Sequence, residues 1–396
     1  MKILQINSVY GYGSTGRIVE SIHKACISKD IDSYVIFSRL GAINSTKKEV
    51  EETDNIIRVY NDKEFKEHVL KAVLLDKHGL YSNKSTYVII DKIKEINPDI
   101  IHLHNIHGFY LNYEILFEFL KKFNKKIIWT LHDCWAFTGY CSHYEYNECN
   151  EWKTGCLNCK YSNVYPYRLL SNSKDNYIRK SKVFNSVDDI TIITPSFWLK
   201  QQIRNSFLKG KVCKVITNGL SSEKFKFTKT NILEKYGIFN KKIILAVSSI
   251  WTKQKGFDEY LKLAKLINED WKIVMVGLSK KQIKKLPKNI IGIERTNSIE
   301  DLIELYSAAT VFVNLTLEET FSLVNIEAQS CSLPVITYNT GGSPETVLNK
   351  ENIVDKYDLN KVIELLNNRS FNKKRYNIKN TMIQNYIELY YEVING

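Results

Sequence analysis

Short apolar runs rich in β-branched residues alternate with helical patterns along almost the whole chain. The strand-like runs are "KILQIN", "SYVIFS", "DIIHLH", "KIIWTLH" and "ITIITP", followed by "KIILAVSS", "WKIVMVG", "NIIGI", "TVFVNL" and "LPVITY". Helical patterns such as "GRIVESIHKACIS" and "FDEYLKLAKLI" lie between many of them. Continuous apolar strands joined by helices are typical of parallel sheets that are covered on both faces. The chain therefore predicts an α/β fold with doubly wound parallel sheets.

The series of strands and helices starts twice, and a length of 396 residues also favours two domains. We expect the first domain over residues 1–215 and the second over residues 216–378, with the polar stretch 221–242 as their connection. The final segment, 379–396, predicts an amphipathic helix that returns to the first domain. Its apolar stripe consists of Met382, Ile383, Tyr386, Ile387, Tyr390 and Val393.

The formal net charge of +13 favours an anionic partner, such as nucleic acid, an anionic membrane face or a phosphate-rich ligand. The alternative is that lysine is simply abundant in the source proteome. No basic module interleaved with aromatic residues is present, so nucleic acid is the weakest of these partners. No run approaches the roughly 20 apolar residues of a membrane helix. The start, "MKILQINSVYG", is typical of a first strand rather than a signal peptide, and we expect a cytoplasmic protein.

The segment "GYGSTG" (11–16) is a G-x-G-x-x-G motif between the first strand and a helix, which is the context of a dinucleotide-binding turn. The second strand, however, ends without an acidic residue that could hold an adenosine ribose. Arg39 could accept a 2′-phosphate, so a nicotinamide dinucleotide stays a minor alternative. The favoured interpretation is a tight turn that presents backbone N–H groups, with Gly13 towards a diphosphate and Gly16 towards an acceptor.

Two carboxylates, Glu319 and Glu327, flank the predicted start of a helix after the strand "TVFVNL". Backbone N–H groups near Phe321, Ser322 and Leu323 would lie at that helix end, where phosphate binds readily. Carboxylates on each side can accept hydrogen bonds from sugar hydroxyls. The arrangement suits a nucleotide sugar, and the alternative is a solvated helix face.

Four motifs in order resemble those of the retaining glycosyltransferases of family 4. "ETFSLVNIE" (319–327) resembles the E-x7-E element of that family, and "TGGSPE" (340–345) resembles its glycine-rich phosphate loop. "KQKGFDEYLKLA" (253–264) resembles its Lys-Gly segment, and "ITNGL" (216–220) the element that opens its second domain. The resemblance covers nearly the whole chain and is strongest from 216 to 346. It implies a GT-B fold of two Rossmann-like domains facing a cleft, with the donor bound by the second domain.

The resemblance also implies roles for single residues. Glu327 would hold the ribose hydroxyls, and Glu319 would lie beside the hydroxyls of the transferred sugar. Lys255 would neutralise the diphosphate leaving group, where a fixed positive charge stabilises the transition state. Gly341 and Gly342 of the phosphate loop would contact the donor.

One position departs from the family pattern. The family has an Arg shortly before the Lys of the Lys-Gly segment, whereas Ser249 and Ile250 occupy that region here. One phosphate contact therefore lacks its usual residue, and Lys253 is the candidate to replace it.

The first domain contains "TLHDCWAFTGYCSHY", in which His132 directly follows a predicted strand. Open α/β sheets bind ligands at this edge, although a structural histidine is the alternative. The comparable His of the family faces the acceptor and the reacting sugar, so we assign His132 to the active site with Asp133 beside it. The sequence offers no obvious nucleophile. We expect catalysis by leaving-group stabilisation and positioning, without a catalytic metal.

Four cysteines lie close together in the sequence, with Cys134 upstream and His143 among them: Cys141, Cys149, Cys156 and Cys159. The last two form a C-x2-C pair with the spacing of a zinc knuckle. Disulfides are disfavoured in a cytosolic protein. The cluster predicts a structural zinc site, and the alternatives are buried free thiols or a redox pair.

The resemblance implies a retaining glycosyltransferase that uses a UDP- or GDP-linked sugar in capsule, O-antigen or exopolysaccharide synthesis. The LHD-WAFTG segment is similar to members of the family from polysaccharide loci. The acceptor would be a glycan or a lipid-linked glycan, and the basic charge agrees with peripheral contact to an anionic inner-membrane face. Two alternatives remain: a nucleotide-sugar epimerase with the GT-B fold, and a non-catalytic subunit that binds sugar nucleotides.

Overall fold

The computed structural model describes residues 1–41, 50–159, 166–219, 225–368, 371 and 381–396. The chain forms two compact units. Unit 1 comprises Met1–Thr217 and Thr381–Gly396, and unit 2 comprises Asn218–Asn380. The division after Thr217 lies two residues beyond the boundary expected from the sequence.

The described residues of unit 1 form a seven-stranded parallel sheet in the order β3-β2-β1-β4-β5-β6-β7. This order, with the first strand inside the sheet and a reversal beside it, is that of a doubly wound Rossmann-like domain. Seven of the eight residues of β1 are buried, as expected for a strand covered on both faces. The strands are β1 (Lys2–Val9), β2 (Asp32–Arg39), β3 (Ile56–Arg58), β4 (Ile100–Leu103), β5 (Lys126–Thr130), β6 (Ile190–Thr194) and β7 (Val212–Val215).

Helices cover this sheet, and their starts follow local capping rules. Asn112, for example, accepts a hydrogen bond at 2.9 Å from the backbone N–H of Glu114 and so caps α4. The helices are α1 (Gly13–Ile27), α2 (Asp62–Leu75), α3 (Asn83–Ile96), α4 (Tyr113–Phe123), α5 (Ser173–Phe184), α6 (Phe197–Arg204) and, numbered in chain order, α13 (Met382–Asn395).

The described residues of unit 2 form a six-stranded parallel sheet in the order β10-β9-β8-β11-β12-β13. It repeats the doubly wound order of unit 1. Its strands are β8 (Lys242–Val247), β9 (Trp271–Val276), β10 (Ile290–Ile293), β11 (Val311–Asn314), β12 (Val335–Tyr338) and β13 (Ile353–Val354). Its helices are α7 (Ile232–Lys235), α8 (Phe257–Leu266), α9 (Lys280–Ile283), α10 (Ile299–Ala308), α11 (Leu323–Ser330) and α12 (Leu359–Asn368). The predicted class of two doubly wound domains is confirmed.

The prediction of the segment that connects the two domains is wrong. The stretch 221–242 was expected to connect the domains, but its described part belongs to unit 2. Phe225, Ile232 and Ile238 are buried in the core of that unit, and residues 232–235 form α7. Polar composition alone did not reveal these three apolar anchors.

The C-terminal helix α13 packs on unit 1 as predicted. Met382, Tyr386 and Tyr390 are buried in one apolar cluster with Ile3 of β1 and Ile22 of α1. The hydroxyls of the two buried tyrosines are each hydrogen-bonded to a side chain of the sheet, Tyr390 to His102 of β4 and Tyr386 to Thr130 of β5. Within the described ranges, none of the helices has the length and apolar character needed to cross a bilayer.

Candidate active site

In unit 2 the structure brings Lys255 and Glu319 together. The Lys255 Nζ atom lies 3.0 Å from Glu319 Oε2, and both side chains keep some solvent exposure (36% and 18%). Burial lowers the pKa of Lys255, but the Glu319 carboxylate and its hydrogen bond outweigh that effect and the net shift is upward. Lys255 is therefore a fixed ammonium group at neutral pH.

Backbone geometry explains why a glycine follows Lys255. Gly256 has a positive φ of 77°, and an added Cβ would lie only 2.0 Å from the carbonyl oxygen of Leu315. The Leu317 N–H donates to the carbonyl of Gln254 at 2.8 Å, so the two loops are joined by backbone as well. These contacts hold the Lys255 loop against the loop that carries Glu319.

Glu327 lies in α11, past its first residues, as the sequence predicted, and Glu319 lies in the loop before it. The Tyr306 hydroxyl donates to Glu327 Oε2 at 2.9 Å. Burial, followed by the nearby Glu327 carboxylate, raises the pKa of Tyr306 well above its usual range, so the phenol stays protonated and donates. Glu327 is thus oriented by a neighbouring helix, because Tyr306 belongs to α10.

The start of α11 and the TGGSPE loop are joined by a bond to the Glu319 backbone. The Gly342 N–H donates to the carbonyl of Glu319 at 2.9 Å, and Gly341 has a positive φ of 54° that favours glycine. Phe321 and Ser322 are buried, and Leu323 begins the helix. Helix N-termini have N–H groups without an intrahelical acceptor, which is why they bind anions.

A buried polar network holds these segments together, and the sequence did not predict it. The Asn325 amide nitrogen donates to the hydroxyls of Ser343 (3.2 Å) and Thr346 (2.9 Å). Its oxygen accepts from the Asn314 side chain at 2.9 Å, and Asn314 also donates to the Ser322 hydroxyl. Asn325 is completely buried and links β11, α11 and the TGGSPE segment. No linear motif marks such a residue.

Lys253, the candidate to replace the missing family Arg, is more exposed to solvent than Lys255. Lys253 is exposed in the loop before α8, and Ile250 is exposed as well. The Ser248 hydroxyl donates to the Ile250 carbonyl, which shapes the turn after β8. The role of Lys253 towards a phosphate stays a prediction.

In unit 1, His132 lies just past the carboxyl end of β5, as predicted. Its Nε2 is 3.1 Å from His104 Nδ1, and the two rings stack with an interplanar angle of 12°. Burial lowers the pKa of His132 to about 4, so its ring is neutral at pH 7. Asp133 lies 3.0 Å from His107 Nε2 and accepts from the Trp135 N–H at 2.9 Å.

Asp133 has a pKa of about 2. Burial alone would raise that pKa, but nearby His107 and the hydrogen bonds lower it further than burial raises it. The carboxylate is therefore ionised at neutral pH. His132 and Asp133, adjacent in sequence, thus carry different charges at the same sheet edge.

The glycine-rich turn of unit 1 starts helix α1 at Gly13, which has a positive φ of 64°. Gly16 is buried, and an added Cβ would lie 3.2 Å from Gly11 N and from Val9 Cγ2. The Gly11 N–H donates back to the Gly16 carbonyl at 2.9 Å. The turn is tight, as the motif predicted.

The four clustered cysteines share one neighbourhood without a recognised metal site. All are free thiols, and within the described ranges no group of three or more His, Cys, Asp or Glu side chains is placed to hold a metal ion. Burial, with its thiol neighbours Cys159 and Cys149 adding to the effect, raises the pKa of Cys156 to about 12. Cys156 accepts from the Gly139 N–H, and Cys159 accepts from Arg168 at 2.9 Å. The zinc site stays a prediction, because N–H groups donate to the sulfur of a buried thiol and of a zinc-bound thiolate alike.

Metal analysis decides between these two descriptions. A zinc site of four thiolates predicts about one zinc per chain in protein purified without chelator, released on thiol alkylation. Buried protonated thiols predict no bound zinc and slow alkylation of the folded protein, because the thiolate is the reactive form.

Two relatives and one solved structure place the chain among known proteins. It is 24% identical over 234 residues to WcaC of Escherichia coli (strain K12), named as a glycosyl transferase of colanic acid biosynthesis, covering 56% of this chain and 55% of WcaC. It is 30% identical over 161 residues to the capsular polysaccharide biosynthesis glycosyltransferase CapM of Staphylococcus aureus, covering 37% of this chain and 42% of CapM. The chain thus spans about half the length of these two relatives.

The solved structure is Anabaena HepE in complex with UDP and glucose. It matches with a TM-score of 0.61 and 14% identity, and the match covers 100% of both chains. At that identity the likeness concerns the fold alone, which is the two-domain, Rossmann-like GT-B fold.

Two family models divide the chain between them. The model of Glycosyl transferases group 1 matches residues 228–384, which include Lys255, Glu319 and Glu327. The model of Glycosyltransferase Family 4 matches residues 16–224, more than half of the chain, and includes His132. The chain belongs to glycosyltransferase family 4.

Proposed function

We propose that the protein transfers a sugar from a UDP- or GDP-linked donor to a glycan or lipid-linked glycan, with retention of anomeric configuration. The setting is the synthesis of a capsule, an O-antigen or a similar exopolysaccharide. The observation that carries the proposal is the contact of Lys255 with Glu319 beside the start of α11. The names of WcaC and CapM support the polysaccharide setting, and the UDP complex of HepE supports a nucleotide-sugar donor.

The geometry of unit 2 supports a division of labour on the donor. The N–H groups at the start of α11 suit the diphosphate, and the Lys255 ammonium offsets the charge that develops as the nucleoside diphosphate leaves. Glu327 accepts from ribose hydroxyls while Tyr306 holds it in place. Glu319, fixed by Lys255 and through its carbonyl by Gly342, accepts from hydroxyls of the transferred sugar.

A donor screen tests this proposal. UDP, GDP and their sugars are added to the intact protein, and a bound nucleotide raises the melting temperature because it binds the folded state. The stabilising donor is then incubated with lipid-linked acceptors, and NMR of the product gives the anomeric configuration. An epimerised sugar formed from donor alone would favour the epimerase alternative. Donor binding with no turnover under any acceptor would favour a non-catalytic subunit.

We also propose that turnover needs no divalent metal, because Lys255 and the helix N-terminus supply the positive charge near the diphosphate. Activity should survive a chelator. Loss of activity that Mn²⁺ or Mg²⁺ restores, and Zn²⁺ does not, would contradict this part of the proposal.

The two carboxylates should respond differently to substitution. We expect Glu327→Gln to weaken nucleotide binding about tenfold or more, since a hydrogen bond to a charged group is lost. Glu319→Gln should lower kcat more than it changes donor affinity, because its contacts tighten in the transition state. Titration calorimetry and steady-state kinetics measure the two effects.

The control for this pair is Glu304→Gln. Glu304 lies on α10 and accepts from the Thr230 hydroxyl at 2.7 Å, so the change removes a hydrogen-bonded carboxylate elsewhere in unit 2. Its kinetics should stay close to those of the parent protein. Equal, small effects of both test substitutions on binding and turnover would rule out the assigned roles.

An exposed apolar patch on unit 1 supports a lipid-linked acceptor at a membrane surface. Leu70 of α2 and Leu169 are each more than half exposed, and so is Leu170. The Leu169 N–H donates to the Val73 carbonyl at 2.7 Å, so this segment adjoins α2. The exposed Lys63 lies on the same helix. Exposed leucines suit contact with a lipid surface, and the net charge of +13 on the whole chain favours an anionic one.

Vesicle sedimentation tests this membrane contact. The protein should bind vesicles that contain anionic lipid, and Leu70→Ser combined with Leu169→Ser should reduce binding about tenfold or more, since each leucine side chain that enters the lipid contributes roughly 1.5 kcal/mol or more. Leu348→Ser changes an equally exposed leucine of unit 2 and should leave binding unchanged. Equal binding of all variants would exclude this patch as the membrane contact.

A further inference from the structure

Two buried polar side chains, Gln5 and His104, connect the centre of unit 1 to His132. Gln5 of β1 is completely buried, and its amide nitrogen donates to the carbonyl of Val19 at 3.3 Å. This bond orients the amide, so that the Gln5 oxygen faces His104 Nε2 at 3.2 Å. The other ring nitrogen of His104, Nδ1, lies 3.1 Å from His132 Nε2. Gln5 and His104 lie in the strand-like runs "KILQIN" and "DIIHLH", but in none of the motifs to which the sequence assigns a functional role.

The Gln5 amide oxygen determines which atom donates in the Gln5–His104 and His104–His132 hydrogen bonds. An amide oxygen can only accept, so His104 must carry its proton on Nε2 and donate it. Burial holds the pKa of His104 well below its usual range, so the ring carries one proton. Its Nδ1 is then an acceptor, and His132 must be the donor through Nε2–H. A neutral His132 with its proton on Nε2 has an unprotonated Nδ1.

Backbone contacts keep this arrangement rigid. The His104 N–H donates to the carbonyl of Ile6 at 2.9 Å, and the His104 carbonyl accepts from the Trp129 indole N–H at 3.0 Å. The His104 and His132 rings stack almost in parallel. These contacts fix the position of the two rings, so the hydrogen-bond partner of each ring determines its tautomer.

We propose that Gln5 and His104 are positioning residues that fix His132 as the Nε2–H tautomer and make its Nδ1 a hydrogen-bond acceptor. The inference rests on the proposed function, in which His132 lies at the reacting sugar or the acceptor. It deepens that function in one respect: His132 would bind a substrate hydroxyl as an acceptor, and would not act as a cation beside the diphosphate. A fixed tautomer keeps the same nitrogen unprotonated in every turnover.

The tautomer can be measured without any substrate. Protein labelled with ¹⁵N-histidine is studied by NMR at neutral pH, and the His132 signals are identified by their loss in His132→Asn. We expect a protonated Nε2 and an unprotonated Nδ1 in the parent protein. A proton on Nδ1 would overturn the proposal. This result is independent of the reaction, so it stands even if the enzyme is not a glycosyltransferase.

Substitution of Gln5 tests the relay. Gln5→Met removes the acceptor for His104, and we expect the His132 tautomer to become mixed or reversed, with kcat reduced about tenfold or more and donor KM unchanged. A neutral, protonated Gln5→Glu side chain accepts from His104 through its carbonyl oxygen and donates to Val19 through its O–H, so at a pH where this carboxyl is protonated it should retain the native tautomer and restore most of the turnover. Native tautomer and native kcat in Gln5→Met would refute the relay.

A matched control separates this effect from general loss of a buried hydrogen bond. Ser33→Ala removes the hydroxyl on β2 that lies 2.9 Å from Nδ1 of another buried histidine, His23 of α1. It should change neither the His132 tautomer nor kcat. A change as large as that of Gln5→Met would show that the effect is structural and would contradict a positioning role.

Discussion

Replacement of Lys255 by Ala should lower turnover about 100-fold or more, the scale of losing one preorganised electrostatic contact. The ammonium group is held 3.0 Å from Glu319 Oε2 by a loop that Gly256 brings against Leu315. The positive charge of Lys255 is therefore in position before negative charge develops on the leaving diphosphate. Nucleotide binding should weaken less than turnover falls, because the contact strengthens in the transition state. Steady-state kinetics and titration calorimetry with the nucleoside diphosphate measure both quantities.

The control is Lys262→Ala. Lys262 of α8 pairs with Glu259 at 2.7 Å, so this change also removes a lysine from an ion pair in unit 2. In both pairs the lysine is partly exposed, although Glu259 is buried and Glu319 is not. Only Lys255→Ala should affect turnover. A near-normal rate in Lys255→Ala would mean that another cation, with Lys253 as the first candidate, serves the diphosphate.

The strands that the sequence predicted are those with the strongest apolar signal. The ten runs expected as strands correspond to β1, β2, β4, β5, β6 and β8 to β12. The strands missed are β3, β7 and β13, which lie at sheet edges and have two to four residues. An edge strand has a neighbour on one side only and can keep polar residues, so it lacks a continuous apolar run. An apolar run does not indicate which strands are neighbours, so the strand order was known only from the structure.

The residues of the candidate site that lie in sequence motifs could be predicted. Lys255, Glu319 and Glu327 follow from spacing and resemblance, although the contact between the first two came only from the structure. Asn325 and Gln5 could not be predicted, because their partners are far apart in sequence and a single buried amide has no periodic pattern. Such residues become visible only through the hydrogen bonds that satisfy them.

Acid should destabilise unit 1 strongly below about pH 6.5, the ordinary pKa of histidine. Burial lowers the pKa of both His68 and His102 to about 3, and holds those of His78 and His104 well below the usual range. The unfolded chain therefore binds protons that the folded chain does not. Stability that is fully present above pH 6.5 is lost as the pH falls towards these lowered values.

The size of the effect follows from the number of groups. Each buried neutral histidine lowers the stability by up to about 1.4 kcal/mol per pH unit below pH 6.5, and these four together by up to about 5.6 kcal/mol per pH unit, against a total stability of roughly 5–15 kcal/mol. Asp76, whose pKa burial raises, acts in the opposite direction but is a single group. Unit 1 should thus lose most of its stability near about pH 5.

Urea unfolding between neutral and mildly acidic pH, with hydrogen exchange to locate the opened segments, measures this loss. His68→Gln should reduce the slope of stability against pH by about one proton, since the neutral amide does not titrate. The Gly79 N–H donates to His68 Nε2 at 3.0 Å, so a proton added to that nitrogen would face another donor. Ser82→Ala removes the hydroxyl partner of His68 but keeps the histidine, and it should lower stability without changing the slope. A flat dependence on pH in the parent protein would show that these histidines protonate within the folded state.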